Sequence, residues 1–417
     1  IRIYGPTMRQ QVFLLAIAQA LFQTASVLVM TVGALAGSQI TTVPMLATLP
    51  VATMFLGTAT VMFPASAWMA QSGRRRGFIA GATSGLIGGM VAAYGVQSGS
   101  LPMLALGTFF VGAYQAFAQF YRFAASEVAT EVFRPRAIAL VMAGGVVAAL
   151  LGPTLARFGG TMLPVMYAGS FLLLSAVSAV AIGVLGFLRM PPETAAREAS
   201  ATARRTWRQI VCQPAYLVAL FGAATGYGIM ILAMTATPLA MIHHHHAIGD
   251  AATVIQLHVL GMFLPSFITG TLIARFGAIR VMLAGVCLLS THVFATWTGT
   301  GFASFAGALV LLGVGWNFLF IGGTSLLTET YSAAEKSRAQ ATNDMTIFAV
   351  GLSCSFGAGG LLRNLGWQTM NLLLLPWLGA AALALLWLAA QRRKDWHGRP
   401  TGDWLKIKQA DEGVAPR

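Results

Sequence analysis

Long apolar runs, each about the length needed to cross a bilayer, alternate along this chain with short polar or basic breaks. A helix needs about 20 apolar residues to traverse the hydrocarbon core. Such runs lie near 11–32, 44–69, 77–97, 102–128, 137–156, 161–187, 213–241, 252–273, 279–298, 302–327, 339–361 and 367–390. They predict twelve membrane-spanning helices and hence an all-α membrane protein. One stretch, LRMPPETAAREASATARRTWRQIVC (188–212), breaks the pattern. Pro191 and Pro192 stop the sixth span, and a basic segment rich in Ala, Ser and Thr follows, which reads as a linker. The expected organisation is a six-helix unit (1–187), a linker (188–212), a second six-helix unit (213–391) and a polar, basic tail (392–417).

Composition agrees with this pattern. Of 417 residues 57% are hydrophobic and 9% charged, against roughly 25% charged in a soluble domain. The net charge of +14 raises the question of nucleic acid, but its distribution answers it. With both termini inside, the cytoplasmic segments collect Arg74, Arg75, Arg76, Arg134, Arg136, Arg189, Arg275, Arg280, Lys336 and Arg338, as well as the basic residues of the linker and tail. Of the 26 basic residues, Arg122, Arg157 and Arg363 alone fall elsewhere. That is the positive-inside pattern of a multi-pass membrane protein, and it fixes the orientation. The partner it implies is the lipid bilayer, not a nucleic acid. No catalytic constellation stands out, so neither an enzyme nor a catalytic cofactor is expected. Cys212, Cys287 and Cys354 are scattered without a CxxC, so a disulfide framework is not expected.

The two halves look alike. SAWMAQSGRRR (66–76) follows the second span and GTLIARFGAIR (270–280) the eighth, with Gly73 and Gly277 204 residues apart. Glu127 lies nine residues before Arg136, and Glu329 nine before Arg338, an offset of 202. Two offsets this close argue for an internal repeat. Twelve helices in two similar halves, a central loop and a Gly-x-x-x-Asp-Arg-x-Gly-Arg-type loop resemble the major facilitator superfamily over residues 9–391. The resemblance implies two halves that rock around a midplane site. It also implies a cytoplasmic latch, with Arg74 or Arg75 pairing with Glu127, and Arg275 or Arg280 with Glu329. The loop aspartate of that family is replaced here by Ala70 and Ala274, so the Arg/Glu part alone carries over.

The stretch MILAMTATPLAMIHHHHAIGDAATVIQLHVLGM (230–262) holds the candidate chemistry. Met230 and Met234 are four apart near the outer end of the seventh span, and His258 and Met262 repeat that spacing on the eighth. Residues i and i+4 share a helix face. Counting inward from the loop at 1.5 Å per residue, Met234 and His258 are equally deep, roughly 10 Å, and Met230 and Met262 one turn deeper. Subtracting the repeat of 204 maps Met234 onto Met30 and His258 onto Met54, two additional soft ligands. Thioether and imidazole suit Cu(I), whereas carboxylates suit harder ions. Methionine also fills membrane-helix cores, but a histidine at depth needs a partner or a function. The run His243, His244, His245 and His246 would face the periplasm and gather metal at the mouth, or be a solvated loop.

MILAM and HVLGM together resemble the paired MxxxM and HxxxM motifs of CcoA-type copper importers. The resemblance implies Met230, Met234, His258 and Met262 as copper ligands, copper as transported substrate, and supply of copper for cbb3-type cytochrome c oxidase assembly. A cytoplasmic copper chaperone would be the receiving partner. Other polar residues fall inside the spans. Arg122 is the deepest basic residue, expected to partner Glu127 or helix carbonyls, or to gate. Asp344 lies in RAQATNDM (338–345), where it would pair with Lys336, Arg338 or Asn343, or take part in coupling. The expectation is a copper importer working by alternating access. The alternative is a transporter of a small organic molecule or drug, whose cavity would be aromatic and apolar, with methionines as adaptable walls.

Overall fold

The computed structural model describes residues 5–41, 46, 49–190 and 205–397. Most of the expected linker and of the tail, including Arg197, Arg204, Arg399, Lys406, Lys408 and Arg417, lies outside the described residues. Helices account for nearly all of the rest. They are α1 (Gly5–Ile40), α2 (Leu49–Ser72), α3 (Arg74–Gln97), α4 (Leu101–Ala118), α5 (Tyr121–Val128), α6 (Arg134–Gly160), α7 (Ala168–Gly186) and α8 (Trp207–Val211). After them come α9 (Pro214–His243), α10 (Ile248–Phe263), α11 (Ser266–Phe276), α12 (Ala278–Ala295), α13 (Phe302–Leu327), α14 (Lys336–Leu372) and α15 (Leu374–His397). The fourth span is α4 and α5 together, and the eighth is α10 and α11.

Among the described residues eleven helices are long and apolar enough to cross a membrane. The twelve expected spans differ from this count at one place. Gly360–Lys394 registers as one 35-residue apolar stretch, but Gly366 inside it has φ 75° and ψ 169°. That backbone cannot continue a helix and suits glycine. The eleventh span therefore ends at Gly366 and the twelfth opens at Trp367. The seventh span runs further than expected, carrying its helix through His243.

The helix ends follow local chemistry. Pro102, Pro135 and Pro214 sit in the first turns of α4, α6 and α9, where a missing N–H costs nothing. Gly73 (φ 89°) and Gly277 (φ 84°) turn the chain from α2 to α3 and from α11 to α12. A left-handed residue at both copies of the repeat shows that the 204-residue offset is an offset of structure as well.

Packing repeats in the same way. α1 lies against α6 and α7, α2 against α4, and α3 against α4 and α7. Six spans later, α9 lies against α14 and α15, α10 against α13, and α12 against α13 and α15. Between the two sets α2 meets α14, while α6 meets α10, α11 and α13. Lipid tails are as apolar as the side chains, so close approach through small residues holds such helices together. Gly112 of α4 is the sharpest case, since a Cβ there would stand 2.0 Å from the Met54 carbonyl oxygen of α2. On α6, Gly144 abuts the Ala16 carbonyl of α1, and Gly145 leaves room for the ring of Phe263.

At the arginine-rich end, the chain leaving the linker is strapped to the start of α14. Arg205 donates to both carboxylate oxygens of Glu335, at 2.9 and 2.6 Å, and to the Thr330 carbonyl at 3.0 Å. Thr206 and Gln209 form a capping box on α8, and Trp207 Nε1 donates to Thr342 Oγ1 at 3.3 Å. Hydrogen bonding from Arg205 lowers the Glu335 carboxyl to about 2.

Two outcomes are expected. Gly112→Leu must push α2 from α4 and should lower the thermal midpoint of detergent-purified protein, the cost being about 1–3 kcal/mol. Because the Glu335 pKa is depressed in the folded state, its stabilisation is fully present above the ordinary 4.5 and is lost as pH falls toward about 2. The difference in midpoint between the native chain and Glu335→Gln should therefore be constant near neutrality and shrink below about pH 4.5.

Candidate functional site

The most connected polar residues lie where α5 and α14 meet. At the arginine-rich end, Glu127 on α5 accepts from Arg74 on α3 at 2.7 Å and from Lys336 on α14 at 3.1 Å. Arg74 also donates to Gln340 Oε1 at 2.6 Å, and Gln340 in turn donates to the Tyr331 hydroxyl at 2.8 Å. Beside them Ser66 and Ser337 bring their hydroxyls to 2.8 Å across α2 and α14. These contacts tie the first six spans to the eleventh at one end of the molecule. Arg75 is turned elsewhere and donates to the Gly186 carbonyl. Glu329 pairs with Arg392 at 3.0 Å rather than with Arg275 or Arg280. The repeated sequence pattern thus makes a cross-half latch in its first copy and a pairing on a half-exposed surface in its second.

About 7.5 Å further in, five residues along α5 at 1.5 Å each, stands a second charged pair. Arg122 Nη2 donates to Asp344 Oδ1, both side chains being almost fully buried. Neither expected partner set for Arg122 included Asp344. Asn343 donates to the same oxygen at 2.9 Å, and Gln119 accepts from Arg122 Nη1 at 2.9 Å. The guanidinium carbon lies 4.7 Å from the ring centre of Phe123 and 4.6 Å from that of Phe320. A cation between two ring faces gains from their quadrupoles where water cannot help. Removing one partner of a buried pair typically costs about 3–5 kcal/mol, because the other charge is stranded.

Phe320 joins this pair to an aromatic column. It stacks on Trp316 at 4.9 Å and 16°, and Trp316 meets Phe263 edge-on at 5.7 Å. Tyr227 lies 6.3 Å from Phe320 and 5.4 Å from Phe348. Helical spacing on α13 puts Trp316 and Phe320 on one face, four residues apart. Four helices, α9, α10, α13 and α14, converge on the column, and Phe263 reaches α6 through the space above Gly145. Three buried polar atoms here have no hydrogen-bond partner among the described residues: Trp316 Nε1, Arg122 Nε and Asp344 Oδ2. Buried polar atoms are nearly always paired, and an unpaired one calls for an explanation, a functional role among them; Tyr114 Oη, Tyr121 Oη, Thr225 Oγ1 and His258 Nε2 are the others among the described residues. Sequence reasoning named Arg122 and Asp344 singly and missed the aromatic residues. Their only signal was WNFLF (316–320), which also reads as core.

The expected soft ligands lie in several settings. His258 is fully buried, and its Nδ1–H donates to the Leu309 carbonyl on α13 at 2.8 Å, leaving Nε2 unpartnered. The ring is thus held by the tenth span rather than by the seventh, which carries Met234. Met230 and Met262 are buried in the large apolar core, with Met234 partly buried against it. Met54 belongs to a separate apolar cluster with Leu28, Val111 and Phe171, and Met30 is 41% exposed. The four-helix ring of soft side chains is therefore not one cluster. At the other end of α9 the histidines diverge. His246 Nε2 donates to the Thr300 carbonyl at 2.7 Å, and His244 and His246 lean on Phe305. His243 and His245 are exposed. Partial burial and the neighbouring imidazoles push His244 below its ordinary pKa. Among the described residues no three of His, Cys, Asp and Glu come together to hold a metal.

Comparison with known proteins agrees with this architecture. The family model for the Major Facilitator Superfamily matches residues 12–255 and 222–411, and the chain belongs to that superfamily. It is 39% identical over 369 residues to a riboflavin transporter, RfnT, of Brucella anthropi, covering 88% of this chain and 93% of that protein. It is 29% identical over 374 residues to an uncharacterized transporter of the same type, YdeG of Bacillus subtilis, covering 86% and 85%. Among solved structures it resembles the human organic anion transporter MFSD10, with a TM-score of 0.72 and 13% identity over 91% of this chain and all 100% of that one. It also resembles a bacterial homologue of the iron transporter ferroportin in its outward-facing state, with a TM-score of 0.68 and 12% identity over 91% and 99%. At such identities the structures speak for the fold alone.

The latch gives a direct test. In a chain whose native cysteines are replaced by alanine, Ser66→Cys with Ser337→Cys should form a disulfide under mild oxidation. Transport should stop on oxidation and return on reduction, whereas either single cysteine should leave it unchanged. Failure of the pair to cross-link would show that this end is open in the membrane.

Proposed function

We propose that this protein carries a planar aromatic organic solute, riboflavin or a close chemical relative, across the bacterial inner membrane. The observation that carries this reading is the aromatic column Phe263–Trp316–Phe320, which ends on the buried Arg122–Asp344 pair. Stacked and edge-on rings offer a flat heterocycle the contacts it prefers, and a few polar atoms fix its orientation. The similarity to a riboflavin transporter supports this choice of solute. The units 1–187 and 213–391 would move against one another about the site, with the Arg74–Glu127–Lys336 cluster closing the arginine-rich end. We take that end as cytoplasmic from its charge, and the solute as entering from the opposite side.

Copper import, the first expectation, is the weaker reading. The relatives named above lend copper no support, and of the six soft ligands Met54 and Met30 lie apart from the core that holds Met230, Met234 and Met262. The alternative anticipated an aromatic, apolar cavity with methionine walls, and the column supplies aromatic surfaces of the kind such a solute needs.

Uptake of labelled riboflavin and of labelled copper, in cells lacking their own carriers and at matched membrane abundance, separates the two. The native chain should accumulate riboflavin and not copper. Trp316→Ala and Phe320→Ala should each weaken riboflavin uptake about tenfold or more, the loss expected for about 1–3 kcal/mol of stacking. Met234→Ala should leave it within a few fold. Copper accumulation that disappears in Met234→Ala and His258→Ala would restore the metal reading.

A further inference from the structure

The two unpartnered atoms of the buried ion pair differ in kind. Arg122 Nε can only donate, and Asp344 Oδ2 can only accept. They sit on groups already joined through Nη2 and Oδ1, so one joined pair at the foot of the aromatic column keeps a donor and an acceptor in reserve. Trp316 Nε1, higher in the column, is unpartnered as well. Asn343 and Gln119 are spent on the same pair, and Tyr121 Oη, next to Arg122 on α5, is a separate buried hydroxyl without a partner among the described residues. The unmet capacity of the pair is specific. It is complementary to a carbonyl next to a ring N–H, the edge of a cyclic amide or imide.

We propose that Arg122 and Asp344 read the cyclic-amide edge of the transported heterocycle. The ring carbonyl accepts from Arg122 Nε–H, and the adjacent ring N–H donates to Asp344 Oδ2, while the flat body of the solute lies among Phe320, Trp316 and Tyr227. This deepens the organic-solute reading and rests on it. It also explains why the recognition pair is split between α5 and α14, which belong to opposite halves of the repeat. A solute gripped by both residues touches both halves at once, so its arrival and departure are felt across the interface that has to open. The ion pair itself remains intact, since the solute uses the atoms the pair leaves over. Phe123 and Phe320 keep water from the guanidinium, which makes the edge hydrogen bonds count.

Methylating the ring nitrogen of the solute removes the donor without touching the protein, so folding of a variant is not at issue. Binding to the purified native chain would be followed by quenching of tryptophan fluorescence with two pairs of probes. One pair is riboflavin and its N3-methyl derivative. The other is 1,8-naphthalimide and N-methyl-1,8-naphthalimide, planar imides that are not flavins. Within a pair the N–H form should bind about tenfold or more tightly, corresponding to about 1.4 kcal/mol. In Asp344→Asn that preference should collapse to about twofold or less, whatever happens to affinity overall. Discrimination by the naphthalimides with no flavin binding would overturn riboflavin as the solute and keep the edge recognition. Equal binding within both pairs, or no binding of any probe, would overturn the edge recognition itself.

Discussion

A guanidinium inside a membrane-spanning helix persists only if something replaces the water it has lost. Here the replacement is complete except at one atom: Asp344 takes one nitrogen, Gln119 another, and Phe123 and Phe320 cover the two faces. The carboxylate that neutralises it comes from a different half of the repeat. Arg122 and Asp344 therefore cannot separate without stranding two charges in an apolar interior. The crossing of α2 on α14, the latch at Glu127 and the convergence of the aromatic rings are all organised around that contact.

The helices around this pair are held by shape. With hydrophobic burial largely cancelled by lipid, what remains is close approach, and glycine at 57, 112, 144 and 270 brings backbone within reach of backbone. The same economy operates in both copies of the repeat. Their divergence lies in the polar residues. The first copy spends its glutamate on Arg74 and Lys336 at the interface between halves, whereas the second spends Glu329 on Arg392 at the surface. The repeat of helices is kept while the latch is made asymmetric, although both copies lack the loop aspartate alike, at Ala70 and Ala274.

The contrast between the methionine–histidine motifs and the aromatic column is one of commitment. His258 is tied to the Leu309 carbonyl through Nδ1, and Met230, Met234 and Met262 sit in core that would be apolar in any transporter of this kind. The column instead combines stacking surfaces with polar atoms that have no internal partner. A site built to receive something has to carry unmet capacity, and three of the unpartnered buried atoms, on Trp316, Arg122 and Asp344, lie on the column and the ion pair at its foot.

Much of the architecture was legible in the chain. Apolar length set the spans, arginine placement set the two ends apart, and Gly73 with Gly277 exposed the repeat, because bilayer thickness and backbone geometry act on local sequence. The opening of the twelfth span at 367 was legible too, and Gly366 supplies the backbone that makes it; the extension of α9 to His243 needed the structure, since nothing interrupts the hydrophobic run there. Side-chain spacing placed Met230, Met234, His258 and Met262 on facing levels but could not say which way helix 10 is rotated. Packing against α13 decided that, turning His258 toward Leu309. The partnership of Arg122 with Asp344, 222 residues apart, and the gathering of Phe263, Trp316, Phe320 and Tyr227 from three helices were likewise tertiary decisions. No local pattern encodes which of many buried aromatic residues will share a column. That is settled by how whole helices cross, and the site exists only once they have done so.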